Sequence, residues 1–339
     1  MRATAEDGAA HAPSPARGWA GSAAGLGHAA VLYESPDVLL AATTPFIEEG
    51  LRAGDLVVLA ATPELAKVIT GPLGERAGSI ESDTRICLQD TRVPDAFIAL
   101  REALRRAEGR GSGRLRLIGQ GLCDDIPGGA REWLRYEIAG SALLAGAPMS
   151  VLCALDTTVL GERLVAQAVA AHPQLSTADG TVDNRSFREP GSYLRSLPVP
   201  REPVEDLAPL LAVDGATVLA ELRGRLRAGL GAAVPDADQR EDLLLAVAEV
   251  MANAFRHGRP PVSARLWSDG RRLVCTVSDS GRGYDDPLAG LQPAHGEDLA
   301  HGGMGLWLAR KLWDSVDLLS AGPGLTVRLS TELVRAPRS

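Results

Sequence analysis

Val274-Cys-Thr-Val-Ser-Asp279-Ser-Gly281-Arg-Gly283 is an apolar run that ends on a carboxylate and two closely spaced glycines. It reads as a buried strand: Asp279 at its end can point out, while Gly281 and Gly283 let the backbone turn tightly and a ligand come close. Upstream, Asp238-Gln-Arg-Glu241 has the acidic form of a capping box and opens a helix over residues 239–255, with Leu243, Leu244, Val247, Val250 and Met251 on a broad apolar side. On that helix Glu249, Asn253 and His257 recur every four residues and share one stripe. Downstream, His301-Gly-Gly303-Met304-Gly305-Leu-Trp-Leu-Ala309 opens a second helix with glycines, which offers unpaired backbone N–H groups and a positive helix end to an anion.

Each piece alone is ordinary. Glu and Asn four apart are most often a solvated face, Asp-x-Gly-x-Gly is usually a turn, and Gly-Gly-x-Gly a flexible loop. Their order carries the meaning. Glu-x-x-x-Asn, Asp-x-Gly-x-Gly and Gly-x-Gly-Leu, in that succession, resemble the N, G1 and G2 boxes of the GHKL ATPase superfamily over about residues 205–335. The resemblance implies a Bergerat α/β sandwich that binds ATP with Mg²⁺. By it, Asn253 would ligate Mg²⁺, Asp279 would accept the adenine amino group, and Gly281 and Gly283 would admit the base. Gly303 and Gly305 would wrap the phosphates, with Met304 between them in the same contact, and Thr326 in Gly324-Leu-Thr-Val would match the superfamily's late Thr near the adenine. The chemistry agrees, because Mg²⁺ prefers oxygen ligands and keeps waters and substrate phosphates, so one amide oxygen can suffice. Glu249, one turn away, is then the candidate general base for an incoming Ser or Thr hydroxyl or a water, with a structural hydrogen bond as its plain alternative. His257, at a helix end, has the alternative of capping carbonyls.

No histidine lies between His172 and His257, and His172 precedes Pro173 at a helix end, a poor place for the phosphoacceptor of a sensor histidine kinase. The run Ala246-Val-Ala-Glu249-Val-Met-Ala-Asn253-Ala-x-x-His257-Gly, with the short segment 284–301, resembles anti-sigma-factor serine kinases of the RsbW type. That resemblance implies two partners: a sigma factor, and a STAS-domain anti-sigma antagonist phosphorylated on Ser or Thr. Regulators of this kind are often dimers. Arg256 and Gly258-Arg-Pro depart from the family's pattern and bear on partner identity more than on ATP. The competing readings are a non-catalytic, ATP-dependent protein-binding switch and an atypical sensor histidine kinase.

The first half alternates strand-like and helix-like stretches, with strands over 28–33, 55–60, 114–119 and 149–155, which implies a mostly parallel sheet. His28-Ala-Ala-Val-Leu-Tyr33-Glu34-Ser, Phe46-Ile-Glu-Glu-Gly50-Leu-Arg-Ala-Gly54-Asp55, Trp133-x-x-Tyr136-Glu137 and Cys153-Ala-Leu-Asp156-Thr resemble the MEDS sensory domain over about residues 28–185. The resemblance implies a RecA-like α/β outline, but Gly-x-x-x-x-Gly-Lys-Ser/Thr is missing, so a small ligand would bind otherwise than as a nucleotide on a P-loop. His28, Tyr33, Glu34, Glu137 and Asp156, near the ends of elements, are the candidate contacts. The expected fold class is therefore α/β throughout: a disordered arm at 1–27, the RecA-like domain at 28–185, a proline-bearing linker at 186–205, and the Bergerat sandwich at 206–335, entered by a helix over 213–228.

The 339 residues suffice for two cores. A net charge of −8 argues against a general nucleic-acid binder, which needs a basic surface. No apolar run approaches the roughly 18 to 20 residues of a membrane span. Cys87, Cys123, Cys153 and Cys275 lie far apart, without the close pairs of a zinc site or the density of a disulfide scaffold, so reduced thiols in a cytoplasm are expected. Arg265, Arg271, Arg272 and Arg282 read as solvated charges, and Trp307 and Trp313 as core.

Overall fold

The computed structural model describes residues 27–177, 180–293, 304–320 and 324–334. The arm expected at 1–27 lies outside them except for Gly27, which opens the first strand. That strand, β1 (Gly27–Tyr33), belongs to a seven-stranded sheet with β2 (Leu56–Ala60), β3 (Glu81–Ser82), β4 (Leu115–Gln120), β5 (Met149–Asp156), β6 (Gln174–Thr177) and β7 (Gly180–Asp183). The spatial order is β3-β2-β4-β5-β1-β6-β7. Every pair is parallel except β6 with β7, so the sheet is mostly parallel as expected. β2 and all but the last residue of β5 are buried, because helices cover both faces and leave no solvated side to alternate with. The helices are α1 (Pro36–Ala53), α2 (Pro63–Thr70), α3 (Val93–Glu108), α4 (Gly129–Leu143) and α5 (Glu162–Val169). One face packs Phe46, Ile47 and Ile69, the other Phe97, Trp133 and Ile138. The short β3, β6 and β7 escape a pattern reading, since two to four residues are too few to show a period.

The proline-bearing stretch after β7 is ordered structure rather than a free tether. Pro190 sits at the start of α6 (Pro190–Ser196), where the missing N–H costs nothing, and Glu189 caps it by accepting from the Gly191 and Ser192 amides. Tyr193 and Leu194 are buried in the core of the first sheet. Pro203–Asp206 form a single 3₁₀ turn whose Val204 packs on Trp267 and Val274 of the second sheet. The segment thus holds both sheets.

The second sheet is antiparallel, in the order β11-β12-β10-β9-β8: β8 (Leu211–Ala216), β9 (Val262–Ser268), β10 (Arg272–Ser278), β11 (Ser315–Leu319) and β12 (Thr326–Glu332). The helices α7 (Leu219–Ala233), α8 (Ala237–Arg256) and α9 (Met304–Leu312) cover one face. This is the α/β sandwich anticipated from the motifs. Two local expectations are overturned. Val213, expected in a helix over 213–228, lies in β8 and pairs with Ala264; Gly215, at φ +70, breaks the ladder, and the helix starts only at Leu219. The cap of α8 is Asp236, two residues before Asp238, and its carboxylate accepts from the Gln239 amide at 2.8 Å. Gln239 bonds Glu332 and Val334 instead of closing a capping box. No helix among the described residues is long and apolar enough to cross a membrane.

On the sheet face opposite the helices, Asp317 of β11 is 2% exposed and meets three guanidinium groups, those of Arg131 and Arg135 from α4 and of Arg328 from β12, each at 3.0 Å. Arg135 also pairs with Glu132, and Arg328 with Glu205 of the 3₁₀ turn at 3.0 Å. Arg272, expected to be solvated, binds Glu202 at 2.9 Å on the same face. Burial alone would raise the Asp317 carboxyl, but the three arginines overcome it and hold it at about 2. A carboxyl whose folded value lies below its unfolded one, near 3.8, stabilises the fold at pH above that unfolded value. This contribution, about 2 kcal/mol, is expected to be lost as pH falls from 4 to 2. Asp317→Ala, which strands three buried cations, is expected to destabilise by about 3 to 5 kcal/mol and to flatten that acid limb, read by calorimetric melting between pH 2 and 7.

Candidate functional site

The site forms where the C-terminal end of α8, the end of β10 and the start of α9 meet. α8 turns Leu243, Ala246, Val247, Val250 and Met251 into the core. Its periodicity leaves Glu249 and Asn253 half-buried on the flank that faces α9. Gly305 is the second residue of α9 and lies against both: a β-carbon there would come within 2.7 Å of Asn253 Nδ2 and 3.4 Å of Glu249 Cβ. Only glycine lets the helix start this close. Among the described residues, neither the Glu249 carboxylate nor the Asn253 amide makes a side-chain hydrogen bond, so their polar atoms are free to meet a ligand. Met304, the first residue of α9, is exposed, and Gly303 lies outside the described residues.

Asp279 leaves β10 half-buried, its amide held by the Leu325 carbonyl at 3.0 Å. Its Oδ1 accepts from the Gly281 amide at 2.7 Å, an Asx turn that aims the carboxylate and leaves Oδ2 available. Gly283, further along the turn, lies against Ser320 and the Gly324 carbonyl. The two halves of the site are joined by Gly258, whose amide bonds the Asn253 carbonyl at 3.3 Å. A β-carbon on Gly258 would stand 2.4 Å from Asp279 Cγ and 2.4 Å from the Ala254 carbonyl oxygen. Gly258 is therefore part of the site, although in the sequence it stands out only as a departure from a family pattern. His257 occupies the C-cap of α8, exposed, with its backbone N–H on the Asn253 carbonyl.

Glu249, Asn253, Gly305 and, through Gly258, Asp279 and Gly281 thus converge, while Gly283 lies further along the turn, against Ser320 and Gly324. Thr326 does not join them. Its hydroxyl meets Ser278 Oγ at 2.8 Å, and the Ser278↔Thr326 register places both on the sheet face away from the helices, whereas Val277 and Val327 point into the helix-covered core. Trp313 is core, with its indole N–H on the Leu243 carbonyl; Trp307 is half-buried beneath Lys311.

The segment after Asp279 is anchored on the other sheet's domain. Leu291 is fully buried in the core that holds Phe97 and Trp133, and Leu288 packs beside it. Arg101 of α3 bonds Gln292, and Arg195 of α6 bonds Asp285 at 2.8 Å. Arg310 of α9, buried, donates to the Ala289 and Val316 carbonyls at 2.9 Å; burial brings its guanidinium down to about 10, so it stays charged at neutral pH. Residues 294–301, the remainder of the short segment 284–301, lie outside the described residues.

Of the candidates in the first domain, His28 and Glu137 meet in the interior together with Cys153 and His172. Tyr33 and Asp156 end paired strands; burial, then the neighbouring Asp156 carboxylate, raises the Tyr33 phenol to about 12. Glu34 is exposed.

Residues 214–331 match the family described as the histidine kinase-like ATPase domain, and residues 27–173 match MEDS, the methanogen/methylotroph, DcmR sensory domain. The chain therefore belongs, through its C-terminal sandwich, to the family of RsbW serine-protein kinases, with a MEDS domain ahead of it. Over 113 residues it is 34% identical to the serine-protein kinase RsbW of Bacillus pumilus (strain SAFR-032), a match covering 29% of this chain and 68% of that protein. It is 33% identical over 94 residues to the serine-protein kinase RsbW of Halalkalibacterium halodurans, covering 24% of this chain and 56% of that one.

Because the position of Asp279 depends on the bare backbone at residue 258, Gly258→Ala is expected to cost about 1 to 3 kcal/mol of stability. Isothermal titration with Mg-ATP should show its affinity reduced at least about tenfold. Gly224→Ala, where nothing lies within 4 Å, is the control and should leave binding unchanged.

Proposed function

We propose that this chain is a regulatory protein kinase of the anti-sigma type: its sandwich binds Mg-ATP and phosphorylates a Ser or Thr of a STAS-domain antagonist, and alternatively holds a sigma factor, in the cytoplasm, under control of the MEDS domain. The observation that carries the reading is the seating of Gly305 against Glu249 and Asn253, a cradle that a β-carbon would fill, at the start of a helix and beside the Asp279 turn. Mg-ATP, when bound, would supply an electrophilic γ-phosphoryl group. The start of α9 presents backbone N–H groups and the positive end of its dipole to the phosphates. Asn253 offers one amide oxygen to the cation, in keeping with the preference of Mg²⁺ for oxygen and retained water. Asp279 Oδ2 offers an acceptor for an exocyclic amine, and Gly281 and Gly283 keep side chains out of the base's way. Glu249, with its carboxylate unengaged among the described residues, would take the hydroxyl proton of the incoming Ser or Thr.

The proposed control runs through α3. Phe97 faces an interior pocket of the first domain, and Arg101, one turn further on, holds Gln292 of the segment leading to α9. Arg92 and Asp95, at the start of α3, bind Asp314 and Lys311 at the end of α9. A change in how α3 packs would be felt at both ends of the phosphate-facing elements, linking ligand state and nucleotide state reciprocally.

Transfer of labelled phosphate from ATP to a STAS antagonist tests the reading. Glu249→Gln is expected to reduce transfer by about 10² to 10⁴ while Mg-ATP affinity stays within about twofold. If the parent chain binds ATP yet transfers nothing to any STAS antagonist while retaining its partner on a column only with Mg-ATP, the sandwich is a binding switch instead.

A further inference from the structure

Four side chains of the first domain converge in its interior from four separate elements: His28 from β1, Glu137 from α4, Cys153 from β5 and His172 from the turn after α5. None is more than 7% exposed, and His172 is at 0%. Their ligand-type atoms all lie within 4.8 Å of one another. His28 Nε2 is 3.4 Å from Cys153 Sγ and 3.9 Å from Glu137 Oε2. Glu137 Oε2 is 3.5 Å from Cys153 Sγ and 3.4 Å from His172 Nε2. The edges of a zinc tetrahedron built from ordinary Zn–N, Zn–O and Zn–S bonds are about 3.3 to 3.8 Å long; three of these four separations fall within that range, the fourth is 3.9 Å, and no pair exceeds 4.8 Å.

The hydrogen bonds around the cluster fix which nitrogen of each ring donates outward. His172 Nδ1 lies 2.8 Å from the Ala168 carbonyl, which can only accept, so Nδ1 bears a hydrogen and, in the neutral imidazole, Nε2 is a lone pair. Ser141 donates its hydroxyl hydrogen to the Ala171 carbonyl at 3.2 Å and must therefore accept from His28 Nδ1 at 2.9 Å, which leaves His28 Nε2 as a lone pair also. Both imidazoles thus turn bare nitrogens inward, at a carboxylate oxygen and a thiol. His172 Nε2 is fully buried and has no hydrogen-bond partner. With both rings neutral, three acceptors face one another with a single thiol hydrogen among them, an arrangement that costs free energy unless a metal cation or a further proton sits between them. An outer partner on the far nitrogen of each histidine is how metal-ligating histidines are held.

We propose that His28, Glu137, Cys153 and His172 form a binding site for one divalent transition-metal ion of zinc type in the MEDS domain of this chain. A mixed nitrogen, sulfur and oxygen set in roughly tetrahedral spacing suits Zn²⁺, and the thiolate disfavours Mg²⁺ and Ca²⁺. His28, Glu137 and Cys153 also line the interior pocket that Phe97 and Trp133 help enclose. The site is independent of the nucleotide reading, because it lies in the other domain and its test uses no ATP.

The experiment takes the untagged full chain, strips it with a chelator, and titrates Zn²⁺ against a chromophoric competitor, with Co²⁺ as an optical probe. One tight equivalent of Zn²⁺ per chain, a rise in melting temperature with Zn²⁺, and a Co²⁺ spectrum with tetrahedral d–d bands and a thiolate charge-transfer band are expected. Cys153→Ser and His172→Gln should each remove the charge-transfer band or the tight equivalent, with circular dichroism confirming the fold. Ser141→Ala should weaken binding by roughly 10- to 100-fold. Cys123→Ser, outside the cluster, should bind like the parent. A parent chain that takes up no more Zn²⁺ than Cys153→Ser, or a Co²⁺ complex without sulfur-to-metal charge transfer, would overturn the proposal and leave a shared proton as the cluster's occupant.

Discussion

The carboxylate of Asp317 is the point on which the two halves of this molecule are set. A lone buried charge would be costly, and three guanidiniums converging on it, two from one domain and one from the other, turn that cost into a positional constraint. The geometry tolerates little: Arg135 is shared with Glu132 and Arg328 with Glu205, so displacing either sheet breaks several charge-assisted bonds together. The 3₁₀ turn at Pro203–Asp206, the helix α4 and the strands β11 and β12 are locked by one node. α9 and the turn after it meet α3 in the same interface, through Lys311 with Asp95 and Asp314 with Arg92.

The chemistry of the sandwich was legible where it is local. An apolar strand that ends in Asp279 and two glycines needs no tertiary knowledge to be read as a turn with a protruding carboxylate, and the four-residue spacing of Glu249 and Asn253 alone places them on one stripe. What escaped depends on register or on absence. Thr326 was assigned to the nucleotide side, but which way a strand residue points depends on its pairing, and one position decides it. Gly258 carries no side chain to announce itself; its role appears only when Asp279 is seen standing where its β-carbon would be. Val213 sits in a stretch of mixed period, and a strand partner, β9, decides its state.

The buried cluster in the MEDS domain was invisible for a different reason. Zinc sites are read from close spacing of ligands on one turn, and here the four donors come from positions 28, 137, 153 and 172. A parallel sheet makes that convergence natural, since neighbouring strands and their crossover helices are distant in the chain. His28 and Glu137 were singled out as ligand contacts, but their meeting with Cys153 and His172 required the pairing of β1 with β5 and the packing of α4 over them. The Asp317 node and this cluster lie on the same helix, α4, whose residues 131, 132, 135 and 137 serve one and the other in turn.

The face of the antiparallel sheet that carries Asp317, Arg328 and Ser330 is buried within the chain, with Arg328 at 2% and Ser330 at 1% exposure. A second copy or a foreign protein would have to prise the two sheets apart to reach it. Away from that buried patch, the outer edge of β8 is unpaired among the described residues, and beside it Leu207 and Leu210 stand in solvent.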